Sequence, residues 1–177
     1  MQVSVKGDDA HAQQHVPSEG ENRGETLSPE EALFVWVGML RVHHVVVSLL
    51  DAELQTKHHL PLSSFEVLLH LSLRPERRMR LSALAESVVL TQSGISRLID
   101  RLEKAGLVRR EPYPDDKRGA YAVLTAEGLA RVHAAEATHL AAVRAHFLDH
   151  LTDEERSTLA RVWERLLSER THNRECE

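Results

Sequence analysis

Residues 91–106, TQSGISRLIDRLEKAG, decide how the rest of the chain is read. Ile95, Leu98, Ile99 and Leu102 recur at three- and four-residue spacing, the repeat of one buried face of an α-helix. Gln92, Ser93, Ser96, Arg97, Arg101 and Lys104 occupy the remainder, so more than half of the circumference is polar. Thr91 is placed to cap the start, and Gly106 to end the helix in the left-handed conformation with Leu107 folding back on the last turn. Just upstream, LSALAES at 81–87 predicts a short helix of small residues, separated by Val88-Val89-Leu90. A short helix, a tight turn and a second helix with one polar, basic face make a helix-turn-helix arrangement.

Downstream, Leu107–Glu111 and Ala120–Leu124 predict two strands joined by Pro112-Tyr113-Pro114-Asp115-Asp116-Lys117-Arg118-Gly119, a hairpin with an exposed basic tip. Thr125 restarts helix, and an alanine-rich helical stretch runs from Ala126 to about His150. Thr152-Asp153-Glu154-Glu155 forms a capping box for a last helix whose Leu159, Val162, Trp163, Leu166 and Leu167 share a face. Upstream, Ser28-Pro29-Glu30-Glu31 combines a hydroxyl cap, a first-turn proline and a glutamate, opening a helix to about Lys57. Its stretch ALFVWVGMLRVHHVVVSLL is apolar almost all round and implies contact on several sides, a partner subunit included. Ser63 and Glu66 fit another capping box, for a helix with Phe65, Leu68, Leu69 and Ser72 on its inner face, and residues 74–80 read as a charged turn.

The expected fold class is mainly α with a small β-hairpin wing. A winged helix-turn-helix lobe spans 61–125, and a helical dimerisation region is built from 28–60 and 126–172. Residues 1–27 have no sustained periodicity and read as a disordered tail. The N- and C-terminal helices lack partners elsewhere in the chain, so pairing across a homodimer axis is the economical solution.

Composition narrows the function. The 177 residues, 42% of them hydrophobic, suit one domain with a sizeable core or two small lobes sharing helices. The net charge is −5, yet residues 74–118 hold eleven Arg or Lys against seven Asp or Glu, a local +4 that leaves −9 for the remainder. Binding to nucleic acid depends on that distribution and not on the sum. Unbroken apolar runs such as VVVSLL at 45–50 fall short of the ~20 residues of a membrane span, and the N-terminus lacks a signal pattern, so a soluble, cytoplasmic chain without membrane contact is expected. Cys176 has no second cysteine to pair with. Phosphate loop, nucleophile elbow and HExxH are all missing, so neither an enzyme nor a cofactor is expected. Among twelve histidines, His146 and His150 share a helix face with His139 two turns back, while His43-His44 and His58-His59 sit near the first long helix. No cysteine joins them, so surface or interface histidines are expected and no metal site.

The combination of Leu84-Ala85-Glu86, TQSGISRLIDRLEKAGLVRR, Asp116-Lys117-Arg118-Gly119, Tyr121-Ala122-Val123-Leu124-Thr125 and Gly128 resembles the multiple antibiotic resistance regulator (MarR) family, over roughly Leu33 to Leu167. The resemblance implies a dimeric winged helix-turn-helix transcription factor, its quoted helix in the major groove of double-stranded DNA and its Arg118 tip in the adjacent minor groove. Polar residues early in such a helix reach base edges, which marks Gln92, Ser93, Ser96 and Arg97, next to the Thr91 cap, for direct readout. Arg101, Lys104 and Lys117 suit phosphate contacts, and Asp116 would support the wing and orient Arg118. The resemblance also implies an effector cleft between the helical region and the lobe, for which Trp36, His43, Glu66 and Arg80 are candidates. The expected function is sequence-specific repression by occupying a palindromic operator as a homodimer, with a small-molecule effector. The alternatives are a winged protein-interaction module, its helix face merely solvated and laced by Arg97–Asp100 and Asp100–Lys104 pairs of ~0.2–0.5 kcal/mol each, and a metal-responsive regulator using histidines.

Overall fold

The computed structural model describes residues 27–88, 92–113 and 116–174, with the side chains at 92, 93, 116–118 and 169–174 left outside that description. The expectations for the tail at 1–26 and for the Thr91 cap therefore lie outside the described residues.

Helix α1 spans Pro29–His58 and opens as the sequence predicts: Glu31 N donates to Ser28 Oγ (3.2 Å) and Ser28 N to Glu31 Oε2 (2.8 Å). Only Leu50 and Leu54 of its thirty residues are buried in the single chain. It contains an 18-residue window long and apolar enough, by length and composition, to cross a bilayer. Counting unbroken runs missed this, because single residues such as Arg41 and the His43-His44 pair interrupt the apolar sequence without making the helix polar.

Helix α2, Leu62–Ser72, starts one residue before the expected cap, and its first turn has no side-chain cap of its own. Ser63 and Glu66 do not form the predicted box; Asp51 Oδ1 on α1 instead accepts from Leu62 N at 2.7 Å. Starting at Leu62 places Ser64 inside the helix and buries it, along with Phe65 and Leu68. The supposed charged turn at 74–80 also needs correction, since Arg78–Arg80 forms strand β1 with Met79 facing the core.

Helices α3 (Leu81–Ser87) and α4 (Gln92–Lys104) follow as the helix-turn-helix. Gly106 adopts φ 73° and Leu107 N donates to Leu102 O at 2.9 Å, closing α4 as its sequence requires. Strands β2 (Val108–Tyr113) and β3 (Asp116–Leu124) are longer than predicted and form the wing. The sheet is antiparallel in the order β1-β3-β2, with Met79 opposite Ala122 and Arg110 also opposite Ala122 from the other side. A mainly helical chain with a small antiparallel sheet is thus what the sequence pattern anticipated, with one strand more than the hairpin.

Helix α5 (Ala126–His146), a 3₁₀ turn (Leu148–His150) and helix α6 (Asp153–Arg174) complete the described chain. Thr125 joins α5 to the lobe: its Oγ1 donates to Gly106 O (2.7 Å) and accepts from Gly128 N (3.0 Å). The core runs from Leu54 on α1 through Phe65 and Leu68 on α2 to Leu98 and Ile99 on α4 and Val132 on α5.

Two consequences are measurable. A Cβ on Gly128 would stand 2.1 Å from Leu107 O and 2.8 Å from Leu124 Cδ1, so α5 rests on the backbone that follows α4 only because that residue has no side chain. Gly128→Ala is expected to lower the urea midpoint by the equivalent of about 2–3 kcal/mol with little change in m-value. His139 on α5 stacks on Phe65 (centroids 4.6 Å apart), and its Nδ1 is buried with no hydrogen-bond partner among the described residues. Burial holds this imidazole below the ordinary histidine range. The unfolded chain then binds a proton that the folded chain resists, so the stability is present above about pH 6.5 and is lost as pH falls through the lower folded value. Burial raises the Glu66 carboxyl and so acts in the opposite direction, favouring the fold as pH falls. Thermal melts from about pH 7.5 to about pH 5.5 should accordingly show wild type losing more stability than His139→Phe, and parallel losses would contradict the assignment.

Candidate nucleic-acid interface

At 100° per residue, α4 divides into three stripes. Ile95, Leu98, Ile99 and Leu102 form the first and are almost completely buried. Ser96, Asp100 and Glu103 form the second, about a third of a turn away. Arg97, Arg101 and Lys104 form the third, all exposed. The first stripe is fixed by the core, which leaves the other two to the surface.

The two polar stripes are treated oppositely. Arg110 on β2 reaches across to the acidic one: its Nη1 lies 2.6 Å from Asp100 Oδ1 and 2.9 Å from Glu103 Oε2, and its Nη2 donates to Ser96 O at 3.3 Å. Its backbone N donates to Glu103 Oε1 at 3.0 Å. Both acids of the helix surface are thereby paired from the wing by one guanidinium, which offsets one of their two negative charges. Among the described residues no carboxylate pairs with Arg97, Arg101 or Lys104, and the intrahelical Arg97–Asp100 and Asp100–Lys104 pairs do not form. Ser96 is half-buried and engaged in an interaction of its own. The side chains of Gln92, Ser93, Asp116, Lys117 and Arg118 lie outside the described residues, as does Thr91.

The wing is braced by arginine and tyrosine. Arg80 Cζ sits 3.7 Å from the centroid of the Tyr113 ring and Arg78 Cζ 4.9 Å from that of Tyr121. The two tyrosines meet edge to face at 5.3 Å. Glu111 takes Arg109 on one carboxylate oxygen and faces Arg78 at 3.8 Å with the other. Arg78, Arg110, Tyr113 and Tyr121 were given no site role by the sequence. The alternation of Arg109 and Arg110 on a strand was the available signal, since it turns one arginine toward each face.

The four cleft candidates are only partly brought together. His43 and Glu66 interact electrostatically: burial raises the Glu66 carboxyl, and the nearby His43 opposes that rise. Arg80 is engaged with Tyr113 on the wing, and Trp36 is exposed two turns before His43 on α1. His43 also lines an open apolar groove of about 690 Å³ with Met39, Leu40, Val46, Val47, Phe147, Leu159 and Trp163. Among the described residues no three His, Cys, Asp or Glu side chains converge as a metal set. His146 lies 3.8 Å from Glu53, and His58 bonds Thr138 Oγ1 at 2.8 Å.

Comparison with known proteins agrees with this geometry. The family model described as MarR family matches residues 60–119. The transcriptional regulator HosA of Escherichia coli O111:H- is 35% identical over 86 residues, 49% of this chain and 63% of HosA, so the chain spans less than two thirds of that relative. AbsC, a MarR family transcriptional regulator from Streptomyces coelicolor, superposes with a TM-score of 0.72 at 33% identity, covering 84% of this chain and 99% of AbsC. Sco3205, a MarR family transcriptional regulator from the same organism solved in complex with DNA, gives 0.72 at 36% identity, over 82% of this chain and 90% of Sco3205.

Proposed function

Because the chain belongs to the MarR family of transcriptional regulators, we propose that it binds double-stranded DNA sequence-specifically as a homodimer and represses transcription by occupying an inverted-repeat operator. The observation that carries this reading is the sorting of charge on α4, whose exposed cations have no acidic partner among the described residues while its acids are turned to Arg110. In a major groove, Arg97 together with Gln92, Ser93 and Ser96 would read base edges, and Arg101 and Lys104 would contact phosphate. Lys117 and Arg118 are assigned to the backbone and minor groove beyond the wing, with Asp116 as their support and Thr91 at the helix start. The complex of Sco3205 with DNA supports the same role here.

The homodimer is supported by what α1 leaves uncovered. Phe34 is 81% exposed and Trp36 55%, and the apolar groove of α1 continues onto Phe147, Leu159 and Trp163 of the C-terminal segments. A second copy offers the same surface in return, which a twofold axis makes self-complementary. On this division residues 28–60 and 126–172 form the dimerisation region and 61–125 the DNA-binding lobe, working in the cytoplasm. A small-molecule effector is assigned to the neighbourhood of His43 and Glu66, which interact electrostatically, with Trp36 and Arg80 as further candidate contacts. It acts only through its difference in affinity for the DNA-competent and incompetent states.

Mobility shifts on a random-sequence duplex pool, followed by salt titration of the tightest duplex recovered, test the proposal. Arg101→Ala and Lys104→Ala should each reduce the magnitude of the log–log salt slope by about one with little change in sequence preference. Arg97→Ala should cost about 1–3 kcal/mol on the selected duplex and relax one base position. A wild-type chain that binds no duplex at low salt would favour the protein-interaction module instead.

A further inference from the structure

Arg110 stands outside every residue assigned to DNA, yet it holds three positions of the recognition helix at once. Ser96, Asp100 and Glu103 follow one another at spacings of four and three, so the guanidinium spans two turns of a single stripe. The side chain is 30% exposed, against 51% for Asp100 and 38% for Glu103, and its planar fork makes the charge-assisted bonds directional. Glu103 uses both carboxylate oxygens on this one residue, the second on the Arg110 backbone N. Arg110 in turn is paired through β2 to Ala122 on the central strand β3. Neither a roll of α4 about its axis nor a slide along it can occur without breaking several of these bonds.

Resting on the DNA-binding reading above, we infer that Arg110 is a positioning residue for sequence discrimination: it fixes the roll of α4 relative to the wing and, by pairing both acids beside the DNA-facing cations, offsets one of their two negative charges. The stripe it grips continues through position 92 at the N-terminal end of the helix. A change of roll would therefore be felt where bases are read, while a loss of that charge offset would be felt by any duplex, whatever its sequence. The two effects separate by charge. Nonspecific affinity follows the field around the phosphates, whereas the ratio of selected to nonspecific affinity follows geometry.

Asp100→Asn/Glu103→Gln, with Arg110 retained, distinguishes them most sharply. It removes two negative charges from the helix surface, so charge alone predicts tighter binding to every duplex and an unchanged ratio. The positioning role predicts tighter binding to poly(dI-dC) but a fall of about tenfold or more in the ratio of selected duplex to poly(dI-dC), the scale of one lost charge-assisted bond. Arg110→Lys, which keeps the charge and loses the planar fork, should lower the ratio in the same direction with the salt slope unchanged, because no phosphate contact is removed. Thermal melts identify any variant that fails to fold, and the carboxamide pair and the lysine variant supply independent readings. An unaltered ratio in both variants, with wild type binding normally, overturns this inference alone. A salt slope reduced by about one in Arg110→Gln, which removes the charge, would overturn it by making Arg110 a phosphate contact. Absence of wild-type binding would instead remove the reading on which it rests.

Discussion

A helix that is polar over two thirds of its surface can be held only by the third that lies beneath. Ile95, Leu98, Ile99 and Leu102 supply that third, each no more than 3% exposed. Burying four such side chains contributes several kcal/mol, at roughly 1.5–3 kcal/mol each before losses of side-chain freedom. They pin α4 against α3 and the sheet and leave the orientation of everything else on the helix determined. The acidic stripe then faces the wing, where Arg110 meets it, and the basic stripe faces solvent. The core decides which face is free, and one strand arginine decides which charge that free face shows.

The second constraint is at the opposite end of the molecule. An apolar helix of thirty residues with two buried side chains is not a stable surface in water. The same composition would satisfy a bilayer by length alone. The groove it forms with Phe147, Leu159 and Trp163 is shaped by three separate segments and carries His43, features suited to a folded partner rather than to lipid. Cover by a second copy would bring two α4 helices under one axis, and a chain of net negative charge would then present two positive patches.

The legible parts of the sequence were those fixed by local rules. α4 carries both a periodic apolar face and a glycine that must adopt φ 73°, and the Ser28 and Thr152 caps are formed within four residues. Tertiary contacts were not legible. Asp51 caps α2 from eleven residues away, which no local motif reveals, and it displaced the box read at Ser63 and Glu66. β1 is too short for alternation to show, and Arg-Met-Arg reads as a turn until Met79 is seen to face the core. Arg110 was invisible for a related reason: a basic residue on a wing reads as a DNA contact, and only its distances to Asp100 and Glu103 reveal that it faces the protein.

In the proposed dimer, two α4 helices, each with its basic stripe outward, address successive major grooves on one side of a duplex. Hydroxyl-radical footprinting of the chain bound to its selected duplex tests this most directly. Two protected patches related by a dyad and about one helical turn apart, roughly 34–36 Å, are the predicted result. A single unsymmetrical patch, or paired patches at a spacing unrelated to the helical repeat, would contradict it.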